Sequence, residues 1–328
     1  MLEGGISEGR RDSWRKWLEP PKPSDPGRLP AASQTVAPAD SELRSASTTE
    51  TSRRQLAGNV AAVPHSVTGA VLTWRSPRTL ERSLASYQRH GLDCMLQQRL
   101  VLVQEGGDQE AAIARSFGWE VITEERNIGI GPAYARLVER TGTELFLFLE
   151  CDWLLTASPQ RQIAASADLL TLGTVHAVRL RSTKRPGFPL GMLRFQNREE
   201  LHPEWLIESV FYDREPWRSF PGVIDRLVYG GIEFAVTGVA HASWSNNPHL
   251  VTTSFVQRLL GDRGGETGNL ETTVAAQWVN LEARVAHAPG LFTHSRVDGP
   301  AINKRDLRYH VDQRVRWWTR HLRRRIGH

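Results

Sequence analysis

LFLFLECDWLL, residues 145–155, sets five apolar residues in succession and then Glu150, Cys151 and Asp152. A run this apolar fits a strand buried on both faces, ended where the chain turns polar. Upstream, TGAVLTW (68–74), RLVLVQ (99–104) and WEVIT (119–123) read as further buried strands. Helices are expected between them: from Pro77 to about His90, over GDQEAAIARSFG (107–118) and over GPAYARLVERTG (131–142). Buried strands alternating with helices predict an α/β fold with a mostly parallel sheet covered on both faces. Ligands of such sheets bind at the carboxyl ends of the strands, so the residues just past each strand are the site candidates.

The second half is less regular. VHAVRLR (175–181) reads as a strand, aromatic-rich segments fill 188–236, and PHLVTTSFVQRLL (248–260) and NLETTVAAQWVNLEAR (269–284) read as helices. Residues 1–65 are rich in Ser, Ala, Thr, Pro and charge, with too little apolar surface to offset chain entropy, and are read as a disordered region. The expected organisation is therefore that region, a globular domain over 66–300 whose regular first half (66–155) gives way to a less regular second (156–300), and a tail from 301 to 328. From Lys304 onward nine Lys/Arg face two Asp, an excess of seven, so the net charge of +5 leaves −2 for the rest. The basic segment can form a helix carrying Leu307, Val311, Val315, Trp318 and Leu322. That pattern suits an acidic lipid surface, and equally a solvated helix packed on the body.

Several classes fall away. Cys94 and Cys151 form neither a disulfide scaffold nor a zinc motif. No window approaches 18 consecutive apolar residues, and the N-terminus lacks the apolar core of a signal peptide. The expectation is a cytoplasmic protein, with a peripheral membrane contact if the tail engages lipid. No Gly-x-x-x-x-Gly-Lys loop and no Gly-x-Ser-x-Gly elbow occurs. A slightly acidic body without a basic stripe argues against nucleic acid.

Glu150 and Asp152 are two positions apart, so on an extended chain both point one way and Cys151 the other. Two carboxylates at a strand end can hold Mg²⁺ or Mn²⁺, which share their coordination with substrate phosphates. The same pair also reads as turn-forming acids. ASWSNNPHLVT (242–252) offers Trp244 as a flat stacking face and Asn246 and Asn247 as hydrogen-bonding amides; it equally reads as an Asn cap on the following helix. Trp205, Trp217 and Trp278 are expected in the core.

Taken together, LTWRSPRTLERSL (72–84), VLVQEGG (101–107), RNIGIGPAYAR (126–136) and LECDW (149–153) resemble, in order and spacing, the GT-A fold nucleotide-sugar glycosyltransferases of the large family 2 group. The likeness covers about 68–155 well and the remainder loosely, and it implies that 66–155 is a nucleotide-binding half and 156–300 an acceptor half. It implies a Rossmann-like sheet with a metal-binding acid-x-acid motif closing the fourth strand, where Glu150 replaces the usual first Asp. It places Thr73, Trp74, Arg75 and Glu105 at the nucleotide, Glu105 standing where Asp is usual. Asn127, Gly129 and Gly131 form the turn ahead of the third helix, with Pro132 as that helix's first residue. His294 is implied as a metal ligand, Arg296 as a phosphate partner, and Glu271 as the base that deprotonates the acceptor, with Asp262 and Glu266 as rivals. The activity implied is transfer of a sugar, with inversion, from a UDP- or GDP-linked donor to a glycan or lipid hydroxyl. A sugar-nucleotide nucleotidyltransferase and a catalytically degenerate carbohydrate- or lipid-binding module stay open as alternatives.

Overall fold

The computed structural model describes residues 65–185, 210–211, 213–261, 270–278 and 280–299. The N-terminal region, the basic tail, Trp205 and the rival acids Asp262 and Glu266 lie outside them. The first half alternates as expected: β1 (Val67–Trp74), α1 (Pro77–Arg89), β2 (Gln98–Gln104), α2 (Asp108–Ser116), β3 (Glu120–Glu124), α3 (Ile130–Glu139) and β4 (Leu145–Glu150). There follow β5 (Trp153–Leu155), α4 (Gln160–Thr171), β6 (Ala177–Arg181), α5 (Pro216–Ser219), β7 (Asp225–Tyr229) and β8 (Ile232–Gly238). The described part closes with β9 (His249–Thr252), α6 (Thr253–Leu260), α7 (Leu270–Trp278) and β10 (Arg284–His294).

The ten strands of the described residues belong to one sheet in the order β3-β2-β1-β4-β9-β6-β10-β8-β7, with β5 paired to the end of β10. β1 pairs in parallel with β2 and β4, β2 with β3, and β6 with β10. β9 runs antiparallel between β4 and β6, so β6 and β10 point the same way as β1–β4. The sheet is thus mostly parallel and continuous through both halves of the chain, the arrangement the sequence predicts. β1 is buried along almost its whole length because helices cover both of its faces. On one side Leu80, Leu84 and Tyr87 of α1, Ala111 of α2 and Ile163 of α4 pack on Val71, Leu147 and Leu149. On the other, Tyr134 and Leu137 of α3, Val256 of α6 and Trp278 of α7 pack on Leu72, Phe146 and Phe148.

Two expectations are corrected. The helix expected over 248–260 begins only at Thr253, where Thr252 accepts a bond from the Phe255 N–H; His249–Thr252 is instead a strand. His-Leu-Val-Thr fills the slot between β4 and β6, and ladder bonds on both sides outweigh a helical pattern read locally. Pro132 is the third residue of α3 and not its first. The missing N–H costs nothing there, because the first four helical N–H groups have no internal partner.

Candidate active site

The site forms where β4 ends. Cys151 N–H still pairs with Leu72 O at 2.9 Å, after which the chain turns into β5. α1 holds this turn from beneath: Ser83 Oγ donates to Cys151 O at 2.6 Å and Tyr87 Oη to Trp153 O at 2.7 Å. β5 then lies antiparallel to the end of β10, with Trp153 opposite His294. That pairing brings together Asp152 and His294, which are distant in sequence. His294 Nε2 lies 3.0 Å from Asp152 Oδ2, Arg296 Nη1 lies 3.8 Å from the same oxygen, and Ser295 N–H donates to Asp152 O at 2.7 Å. Asp152 Oδ1 is buried with no partner. A buried carboxylate oxygen without a partner is a place for a cation or an added donor.

Glu150 stands beside this group. Burial pushes its carboxyl up to about 8, and the negative charges of Asp152 and Glu271 push the same way against the Trp153 hydrogen bond and the Arg296 charge. Glu271, in the first turn of α7, accepts the Asn246 N–H at 3.1 Å. The fold therefore gathers Glu150, Asp152, Glu271, His294 and Arg296 near the carboxyl ends of β4 and β10.

The segment after β10 is clamped to the start of α1. Asp298 Oδ2 accepts the Thr79 N–H at 2.7 Å, while Thr79 Oγ1 accepts the N–H groups of Val297 and Asp298 at 3.2 and 3.0 Å. Arg296 reaches Ser76 Oγ, and Arg82 Nη1 donates to Ser295 Oγ at 3.2 Å. Ser76, the residue before α1, makes no side-chain cap of its own, so the carboxylate of Asp298 satisfies a free helical N–H instead.

A second group lies past β1 and β2. Trp74 Nε1 donates to Glu105 Oε2, and Arg75 Nη2 to Glu105 Oε1 at 2.8 Å, with the guanidinium 5.4 Å from the Trp74 ring centroid. The Trp74 bond first and the Arg75 guanidinium next hold the Glu105 carboxyl below its usual range. Arg75 (φ 49°) and Glu105 (φ 66°) both sit in the left-handed region, which costs a side-chain-bearing residue about 1–3 kcal/mol. Nearby, Asn127 Oδ1 accepts the Gly129 N–H at 2.8 Å and Gln104 Oε1 the Ile128 N–H at 2.8 Å. Gly129 has φ 89°, a conformation that glycine adopts without strain, and Gly131 is buried in the first turn of α3.

Two candidates are placed elsewhere. Thr73 is 1% exposed, facing the α1 side and not the open lip, so Trp74 and Arg75 alone of that trio reach the surface. Trp244 is 5% exposed and packs edge-on against Trp278 and His249 at 5.0 and 4.9 Å, so it is a core residue and presents no stacking face. Trp278 is buried as expected, whereas Trp217 is only partly so.

One group escaped sequence reading. A single row crosses five strands in register: Phe148, His249, Arg179, His287 and Ala235. Burial first, and then the Arg179 charge, push His249 down to about 4 and His287 well below its ordinary value. Arg179 is itself lowered to about 10 by burial, against the opposing pull of Glu271. The signal was present in VHAVRLR, where arginine alternates with apolar residues in a strand buried throughout.

No protein-family model and no curated protein matches the sequence. Solved structures are similar in outline. The mannosyltransferase PcManGT from Pyrobaculum calidifontis, in complex with GDP-Man and Mn²⁺, is 14% identical over 70% of this chain and 59% of its own, with a TM-score of 0.43. TarS 1-349 of S. aureus is 13% identical over 70% and 60%, with a TM-score of 0.45. Glucosyl-3-phosphoglycerate synthase from Mycobacterium tuberculosis, in complex with Mn²⁺, UDP and glucosyl-3-phosphoglycerate, is 16% identical over 71% and 73%, with a TM-score of 0.41. The chain thus spans about three fifths of the first two.

Proposed function

We propose that this protein transfers a sugar from a UDP- or GDP-linked donor to a hydroxyl of a glycan or lipid acceptor, with inversion. The observation that carries the reading is the meeting of Asp152, His294 and Arg296 at the carboxyl ends of β4 and β10, with one carboxylate oxygen buried and unpartnered. Parallel sheets bind ligands at that edge.

The donor set fits a hard divalent cation that shares its coordination with phosphate. Among the described residues no three His, Cys, Asp or Glu side chains form a complete metal group. Asp152 and His294 would hold Mn²⁺ or Mg²⁺ with Glu150 beside them, leaving positions for diphosphate oxygens. The ion would supply charge neutralisation of the nucleotide leaving group. Arg296, tied to Ser76 and pointing at Asp152, is placed to pair with a phosphate oxygen. Trp74, Arg75 and Glu105 form a preset lip for base and ribose, and the Asn127–Gly131 turn lets ligand approach the backbone. Glu271 is the base: its carboxylate takes the acceptor hydroxyl's proton as the acceptor oxygen attacks the anomeric carbon.

Calorimetry with UDP, GDP, CDP and dTDP, with and without Mn²⁺, tests the donor site. One nucleotide should bind, only with Mn²⁺, and Asp152→Ala should abolish that binding in a chain that unfolds cooperatively like wild type. A folded wild-type chain that binds none of the four would refute the transferase reading and favour a degenerate binding module.

A further inference from the structure

Glu271 and the Asp152–His294 pair stand on different elements, and one buried side chain touches the neighbours of both. Arg181, the last residue of β6, is 1% exposed. Its guanidinium carbon lies 5.4 Å from the centre of the Trp153 ring and 5.2 Å from that of Phe211. In addition, Nη1 donates to Asn247 Oδ1 at 3.4 Å. A planar guanidinium can stack on aromatic faces and donate in its own plane at the same time, which a lysine ammonium cannot. Burying such a charge is costly, and what it offers in return is fixed geometry on several sides.

Each contact leads to one half of the site. Trp153 follows Asp152, is paired in register with His294 and meets the His294 ring edge-on at 5.3 Å. Asn247 follows Asn246, whose N–H is the one given to Glu271. The Asn247 side chain is held from its far side, where Nδ2 donates to Ser245 Oγ at 2.7 Å, so its oxygen is the end turned to Arg181. β6 holds the same loop at two more points: Arg179 Nη2 donates to Ser243 O, and Leu180 N–H to Pro248 O at 2.8 Å. The loop that fixes Glu271 is thus hung on β6, and Arg181 joins it to the cation side.

We propose that Arg181 is a positioning residue that sets the base Glu271 against the Asp152–His294 pair. The roles of the two halves rest on the transferase reading; the joint between them does not. Buried as it is, Arg181 meets no substrate and acts through Trp153 and Asn247. Their spacing decides whether an acceptor oxygen held by Glu271 lines up with the anomeric carbon, and a misplacement of about 1 Å can cost about a hundredfold in rate.

In the full chain, the carboxyl ¹³C of Glu271 and the ring ¹⁵N of His294 report the two halves, assigned with Glu271→Gln and His294→Gln. Arg181→Lys keeps the charge and loses the plane. It should move both signals, while those of His65 and His176, at the amino ends of β1 and β6, stay in place. Asn247→Ala should move the Glu271 signal and leave that of His294. Donor consumption is followed with UDP- and GDP-hexoses and Mn²⁺, water standing in for the acceptor. There Asn247→Ala should lower kcat about tenfold with donor KM unchanged, and Arg181→Lys should lower kcat at least as much and raise KM several-fold. The proposal is overturned if Arg181→Lys moves only one of the two signals or neither, or displaces the remote histidines as far. If the Lys variant does not fold, Asn247→Ala decides, and an unmoved Glu271 signal overturns the proposal. These spectral responses in a chain whose wild type consumes no donor would remove the transferase reading alone. Wild-type turnover with kcat unaltered in both variants would remove the joint alone.

Discussion

His249 is 2% exposed and hydrogen-bonded at both ring nitrogens: Nδ1–H donates to Asn247 O at 2.8 Å, and Nε2 accepts from Tyr134 Oη at 2.9 Å. This arrangement needs the neutral ring. In the unfolded chain the ring titrates near 6.5, but in the folded protein only near 4, so between those values the unfolded state binds the extra proton. Stability from this residue is complete above about pH 6.5 and is lost as pH falls toward 4, by about 3 kcal/mol in all. Urea unfolding at pH 7, 5.5 and 4.5 should show that loss in wild type. His249→Gln, which has no titrating ring, should lack that component, and parallel pH profiles for the two chains would contradict the assignment.

At the scale of elements, the site depends on how β10 is held. Gly290, φ 89°, sits in the bulge between His287 and Phe292, and a Cβ there would lie 2.0 Å from Arg181 O. Gly290→Ala must therefore shift β10 against β6, at a cost of at least about 2 kcal/mol by chemical denaturation. Because the shift propagates to His294, it should also weaken Mn²⁺-dependent nucleotide binding more than a loss of stability alone would. The clamp between Thr79 and Asp298 is the second restraint. Asp298→Ala frees the Thr79 N–H and should cost about 1 kcal/mol, as loss of a helix cap does. It should also lower nucleotide affinity several-fold by loosening His294 and Arg296, with both effects measured on one sample by thermal unfolding and calorimetry. Asp298→Asn keeps the accepting oxygen and should retain most of the affinity. Equal loss in both variants would argue against the clamp as the cause.

For the molecule as a whole, the described residues include no helix long and apolar enough to cross a membrane. The basic segment after Lys304 is the candidate for a lipid contact. The full chain should sediment with anionic vesicles at low salt, and a chain ending at Gly299 should not; equal sedimentation would clear the tail of this role. The site was legible in the sequence where chemistry lies close along the chain. LFLFLECDW declared both its strand and its acids, and RNIGIG declared a close turn. His294, Arg296 and Glu271 came from a resemblance, and the fold does bring them to the acids. The sequence misled where a residue's fate depends on distant partners: Trp244 looks like a sugar platform until Trp278 and His249 close over it. His249–Thr252 looks helical until β4 and β6 flank it. By itself the sequence determined the alternation of elements and the parallel character of the sheet, because burial on both faces needs continuous apolar strands and helices need their own period. Only the tertiary structure decided which polar residues meet. The His249–Arg179–His287 row and the Asp152–His294 pair exist through strand register, and register is set by pairings between segments far apart in the chain.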